Sequence, residues 1–240
     1  MIQEKWADNN SVKLHYLDYN AGADPTVHTP AVFIHGAVGD AGMYRSMLEA
    51  LGPRRGLAVT LRGRGKSDAP ESGYSFEHHV SDIAAIVGAA RLTNFCLVAF
   101  SVGVTWALGI AIREPERVRG LVLMDYPARV PATKVRWAEE VLAEDELPPH
   151  VAWGIQRESR EIQLWGDLHK ITCPAMVLRG GREGSLLSAE NAQRYLDNLA
   201  AVQVLAFEDS GHDLSEPDPA HFERTILAFL ARSDNLRGRG

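Results

Sequence analysis

Ser101 has the most informative neighbours of any residue able to do covalent chemistry. It follows the apolar run Phe95-Cys96-Leu97-Val98-Ala99-Phe100, and Ala99 and Gly103 bracket it two places away on either side. A helical pattern begins at once with Val104-Thr105-Trp106-Ala107-Leu108. A serine in a G-x-S-x-G run is exposed where a strand turns sharply into a helix. The small bracketing residues let the two backbones pass close together. Ala99 replaces the first glycine with the smallest side chain available. The chemistry implied is nucleophilic attack by a hydroxyl, which needs a base, an orienting acid and donors for an oxyanion.

His212 is the candidate base. It lies in Asp209-Ser210-Gly211-His212-Asp213, a loop after the last strand-like run and before a helical pattern from Pro219 to Leu230. A loop at a strand's C-terminal end lets an imidazole reach the sheet edge and accept the hydroxyl proton. The expected oxyanion donors are the backbone N–H groups of Val102, after the nucleophile, and Ala37, in the loop closing Ile34-His35-Gly36-Ala37. The other histidines, including the pair His78-His79, are expected on helix surfaces.

Two carboxylates compete to orient the imidazole, with Glu183 preferred and Asp125 the alternative. Glu183, in Leu178-Arg179-Gly180-Gly181-Arg182-Glu183, falls in the order serine, acid, histidine, although Arg179 and Arg182 could claim it as an ion-pair partner. Asp125 ends the run Leu121-Val122-Leu123-Met124 and also precedes the histidine; it could equally cap the following turn.

The elements that must hold these groups read as an α/β chain. Ala31-Ile34, Leu57-Leu61, Phe95-Val98, Leu121-Met124, Ala175-Leu178 and Val202-Phe207 are short and apolar, as strands buried on both faces are. Helical patterns such as Phe76 to Ala90 and Thr105 to Ile112 lie between them. The expected fold class is therefore α/β, with a mostly parallel central sheet flanked by helices. Val12 to Tyr19 alternates, which predicts a half-exposed antiparallel edge strand. About 45 residues between Asp125 and Ala175 carry Trp137, Trp153, Trp165 and Pro148-Pro149, and predict a short helical cap at about 128–170 over the strand ends. One domain over 1–232 is expected, followed by a disordered tail at 233–240.

Bulk properties exclude several function classes. The 240 residues suffice for one sizeable domain, and a net charge of −6 with interspersed signs leaves no basic stripe for nucleic acid. The two cysteines, Cys96 and Cys173, suggest no disulfide framework and no metal site. The N-terminus has no apolar export segment and no stretch is long enough to span a membrane, so a cytoplasmic protein is expected. Phe100, Tyr126 and the three tryptophans Trp137, Trp153 and Trp165 suggest an apolar or aromatic small-molecule substrate, with Phe100 and Trp137 as candidate substrate contacts. Oligomeric state is not encoded legibly.

Taken together, His35-Gly36, Arg62-Gly63-Arg64-Gly65-Lys66-Ser67, Ala99-Phe100-Ser101-Val102-Gly103, Leu121 to Asp125 and Gly211-His212 resemble the α/β-hydrolase superfamily, in its small esterase and lactonase members. The resemblance implies a Ser-His-acid hydrolase of esters, lactones or thioesters that needs no metal or organic cofactor. It also admits cofactor-free C–C bond hydrolases and dioxygenases using the same Ser and His, and non-catalytic ligand-binding members. The Arg62 to Ser67 run resembles the family's R-G-x-G-x-S turn near the site, with Thr60 where an aspartate is usual. The family's acid after the penultimate strand is usually aspartate, which puts Glu183 in doubt. Serine rather than aspartate as nucleophile argues against dehalogenases and epoxide hydrolases.

Overall fold

Apolar strands that must be buried on both faces need helices on both sides, and a computed structural model, which describes residues 1–235, has that layering. The chain begins with an antiparallel pair, β1 (Ile2–Asn9) and β2 (Val12–Tyr19). It continues through β3 (Ala31–Ile34), α1 (Arg45–Ala50), β4 (Gly56–Val59), α2 (Phe76–Ala89), β5 (Phe95–Phe100), α3 (Gly103–Arg113) and β6 (Val118–Met124). A short hairpin strand β7 (Arg129–Val130), helices α4 (Val135–Ala143) and α5 (Pro149–Glu158), and β8 (Ile162–Gln163) follow. The main sheet resumes with β9 (Ala175–Gly180), α6 (Ala189–Asn198), β10 (Val202–Phe207) and α7 (Pro219–Asn235).

The eight-stranded sheet has the order β1-β2-β4-β3-β5-β6-β9-β10, parallel from β4 to β10. Alternation along β5 builds the two layers: Phe95, Leu97 and Ala99 face α2, α3 and α6, while Cys96 and Val98 face α1 and α7. The chain runs from β3 outward to β4, then returns past β3 to place β5 on its other side. Loops leaving β3 and β5 therefore diverge, and a crevice opens at their C-terminal ends.

Residues from Val130 to Thr133, with Trp137 and Ile155, line a cavity with Ser101 at that end. The apolar faces of α4 and α5 (Ala138, Val141, Val151, Ala152, Ile155) pack on Tyr74. The Glu158 carboxylate accepts the N–H groups of Gly73 and Tyr74 at 2.8 and 2.7 Å, tying α5 to the loop before α2.

Three expectations need correction. β2 is not the edge strand, because β1 pairs along its whole length; β1 is polar (Ile2-Gln3-Glu4-Lys5-Trp6-Ala7-Asp8-Asn9) and lacks an apolar run to announce it. His79 is buried, since it lies three residues after Phe76 and four before Ile83 on the inward stripe of α2; only His78 is exposed. The tail expected from 233 starts inside α7, where Ser233 is buried and Asp234 accepts two bonds from Arg54 at 3.1 and 2.7 Å. The rest of that tail, 236–240, lies outside the described residues.

Candidate active site

Ser101 has φ +55, a left-handed conformation that costs a non-glycine residue energy and is held here by its surroundings. Its N–H donates to the Met124 carbonyl at 2.9 Å, carrying the β5–β6 ladder one residue past the strand. α3 begins two residues later at Gly103, and a Cβ there would lie 2.4 Å from the His35 carbonyl oxygen, so only glycine fits. Gly36 also comes close from β3, though less tightly: a Cβ on it would lie 3.0 Å from Ser101 Cβ. Ala99 is fully buried without conflict.

The loop after β3 is braced by His35, which is fully buried. The Leu61 N–H donates to its Nε2 at 3.1 Å, so the proton sits on Nδ1, which donates to the Gly36 carbonyl at 2.7 Å. Burial, aided by the nearby Arg64 charge, pushes His35 down to about 3, and it stays neutral. The Gly36 carbonyl belongs to the peptide whose N–H is that of Ala37, so the bond from His35 both fixes and polarises that donor. The Ser101 carbonyl, in the peptide whose N–H is that of Val102, accepts from Val104 N–H at 2.9 Å. Among the described residues neither the Ala37 nor the Val102 N–H has a hydrogen-bond partner, and both residues line a cavity with Ser101.

His212 Nδ1–H donates to Asp125 Oδ2 at 2.8 Å. The structure thus brings Asp125, and not Glu183, to the imidazole. Asp125 is fully buried at the end of β6, and the loop after β9 wraps its carboxylate. Oδ1 accepts from Ser185 Oγ–H at 2.6 Å, Gly180 N–H at 3.1 Å and Leu187 N–H at 3.4 Å; Oδ2 accepts from Leu186 N–H at 2.8 Å as well as from His212. Burial pushes the carboxyl up, but the bonds from His212, Ser185, Leu186 and Gly180 prevail and hold it below its ordinary range. Glu183 is exposed on the outside of that same loop and makes no side-chain hydrogen bond among the described residues. The correction has a simple cause: the loop curls its donors inward onto the acid of the neighbouring strand and leaves its own carboxylate outside.

Ser101 Oγ makes no hydrogen bond among the described residues. The imidazole of His212 stacks on Phe100, with centroids 4.6 Å apart. Phe100 lines a second, largely apolar cavity of about 690 Å³ that His212 also borders. Ser101 opens onto a cavity of about 450 Å³, walled by Tyr74, Phe76, Trp106, Tyr126, Trp137 and Ile155. Trp137 is thus in the wall, whereas Trp165 lies elsewhere, packed against Tyr195 and under Arg194. Trp106 was missed from sequence because it reads as one more apolar residue of α3. Among the described residues no group of three His, Cys, Asp or Glu side chains could hold a metal ion. None of their helices is long and apolar enough to cross a membrane.

The sequence model of a family described as alpha/beta hydrolase fold matches residues 29–236. The chain belongs to the α/β-hydrolase family. Among its relatives is 2-(acetamidomethylene)succinate hydrolase of Mesorhizobium japonicum, 30% identical over 180 residues, which are 73% of this chain and 61% of that protein. A haloalkane dehalogenase of Agrobacterium fabrum is 31% identical over 115 residues, 48% of this chain and 36% of the relative. The chain therefore spans less than two thirds of the length of these curated relatives. Among solved α/β-hydrolase structures, an esterase from Exiguobacterium antarcticum superposes with a TM-score of 0.80 at 23% identity, covering 95% of this chain and 100% of the other. That likeness establishes the fold; the relatives named are hydrolases and dehalogenases, and the chemistry of this α/β hydrolase must be argued from its own site.

Proposed function

We propose that the chain is a serine hydrolase that cleaves a carboxylic ester, lactone or thioester through an acyl-enzyme. The observation that carries this reading is the bond from His212 Nδ1–H to the buried Asp125 carboxylate, on the strand next to the elbow that bears Ser101. With its proton on Nδ1, the imidazole leaves Nε2 free to accept.

Ser101 Oγ attacks the carbonyl carbon while His212 Nε2 takes its proton. Asp125 keeps the imidazole in the required tautomer and stabilises the imidazolium that forms. The Ala37 and Val102 N–H groups receive the oxyanion, and need no reorganisation because their peptides are already bonded on the carbonyl side. His212 then protonates the leaving group, the acyl-serine forms, and water activated by the same histidine releases the acid. No cofactor enters these steps. In this reading the segment at 128–170 acts as a cap on a single domain, in a cytoplasmic enzyme, and its Trp137 contacts an apolar or aromatic part of a small substrate. Phe100 acts from beneath the imidazole and from the second cavity.

The test is hydrolysis of p-nitrophenyl esters from acetate to octanoate by the wild type and Ser101→Ala. Turnover lost by about 10³-fold or more in the variant, with its melting temperature kept, is the expected outcome. A variant retaining full activity refutes the mechanism.

A further inference from the structure

Arg64 is 3% exposed, yet it has no carboxylate within ion-pairing distance among the described residues. Its guanidinium bonds only neutral groups: Nε–H donates to the Ala37 carbonyl at 2.9 Å, and Nη1 donates to the Arg62 carbonyl at 2.7 Å and to His79 Nε2 at 2.8 Å. Three of its five N–H groups are thereby used. The two on Nη2 have no partner among the described residues, and Nη2 is not one of the side-chain atoms sealed from solvent without a partner. Arg64 lines the cavity onto which Ser101 opens.

A buried cation with no counter-charge is costly, and neighbours that could have neutralised it do not. Asp82 is committed to Arg62, which grips it through Nε at 2.8 Å and Nη2 at 2.6 Å. His79 cannot relieve the charge: its Nδ1–H donates to the Ser75 carbonyl, its Nε2 accepts from Arg64, and burial keeps it neutral. Burial and the adjacent Arg62 charge lower Arg64 itself only to about 10, so it remains a cation at neutral pH. At the cavity's exposed rim Lys134 adds a second positive charge, while Arg136 is paired with Glu140, the one acidic residue lining the cavity among the described residues. A pocket with excess positive charge inside a chain of net charge −6 selects for anions.

We propose that the substrate carries a carboxylate besides its scissile bond, and that Arg64 Nη2 receives it as the cavity's anion anchor. The proposal rests on the serine-hydrolase reading and narrows it to acidic esters, lactones or thioesters with an apolar or aromatic body. Because Arg64 also bonds Ala37, whose N–H is an oxyanion donor, the carboxylate and the reacting carbonyl are referred to the same loop.

The test reads binding in the absence of turnover. Ser101→Ala is titrated with phenylacetate and with its neutral isostere phenylacetamide, following the fluorescence of Trp106 and Trp137 and the heat of binding. Phenylacetate is expected to bind about tenfold or more tightly than the amide, as a charge-assisted hydrogen bond in a dry site provides. Arg64→Gln in the Ser101→Ala background should erase that ratio, and Arg64→Lys should keep part of it. Equal affinity for acid and amide, no binding of phenylacetate, or a ratio unchanged in Arg64→Gln overturns the proposal. Should Arg64→Gln not fold, the acid-to-amide ratio of Ser101→Ala decides alone. The outcome is independent of ester turnover: a wild type that hydrolyses no ester sinks the catalytic reading and leaves this measurement intact.

Discussion

Asp125→Asn separates the two carboxylates, and its consequence can be worked out atom by atom. The amide must place its NH₂ either where Oδ1 or where Oδ2 stands. At Oδ1 it would face three donors, from Gly180, Ser185 and Leu187. At Oδ2 it would face only Leu186 N–H and the ring of His212. The second orientation loses fewer bonds, and the NH₂ then donates to Nδ1. The imidazole proton is forced onto Nε2, the atom that accepts from Ser101 in the proposed mechanism. For a triad of this kind the wrong tautomer lowers kcat on the order of 10³–10⁴-fold, equivalent to about 4–5.5 kcal/mol of transition-state stabilisation. The remaining donor-to-donor contact with Leu186 should cost about 1–3 kcal/mol of stability. Glu183→Gln, exposed and outside the loop, should leave kcat within about twofold. The assay is kcat for a p-nitrophenyl ester in wild type and both variants, with thermal melts alongside. An Asp125→Asn enzyme keeping more than about a tenth of wild-type kcat, or a Glu183→Gln enzyme falling with it, refutes the assignment.

Acid should destabilise the protein well before its carboxylates titrate. His35 is held near 3 and His79 well below 6.5, both chiefly by burial, so below pH 6.5 the unfolded chain binds protons that the folded one refuses. Stability must then fall as pH falls, by about 1.4 kcal/mol per unit for His35, or about 2 kcal/mol at pH 5, and His79 adds a loss in the same direction. Asp125, whose folded value is depressed, adds a loss in the same direction only below about pH 4. Thermal melts at pH 7.5 and 5.0 check this, and an equal or higher midpoint at pH 5.0 contradicts it. Gly103→Ala should cost about 1–3 kcal/mol or more, because its methyl meets backbone at the His35 carbonyl. Gly22→Ala, with nothing within 4 Å of its Cβ, should be neutral; denaturant midpoints of both variants make the comparison.

The legible parts of the fold were those whose burial is carried by their own side chains. β3 begins and ends where its apolar run does, and β5 extends its run to Phe100; β10 also keeps the bounds of its run, but it is an edge strand in which only Phe207 is buried, and not a strand covered on both faces as its apolar run suggests. β1 was invisible because its place is set by backbone bonds to β2 along a polar segment. His79 was misplaced because adjacent residues on a helix differ by about 100° in direction, and the position relative to Phe76 and Ile83 settles which of two histidines turns inward. Arg64 stands in the Arg62 to Ser67 turn, and nothing in that spacing says that its side chain points back under Ala37.

The acid was harder for a reason intrinsic to parallel sheets. β6 and β9 are neighbours, with Met124 opposite Leu178, so Asp125 and the loop carrying Glu183 leave the sheet side by side. Either can approach a histidine that arrives from the loop after β10, and chain order cannot tell them apart. What does is a count of donors. Three backbone N–H groups and the Ser185 hydroxyl converge on Asp125, and a buried carboxylate survives only with such satisfaction. Backbone donors have no letter in a sequence. The one side-chain donor in that set is Ser185, in the loop after β9, whose acceptor lies across the ladder at the neighbouring strand end, Asp125.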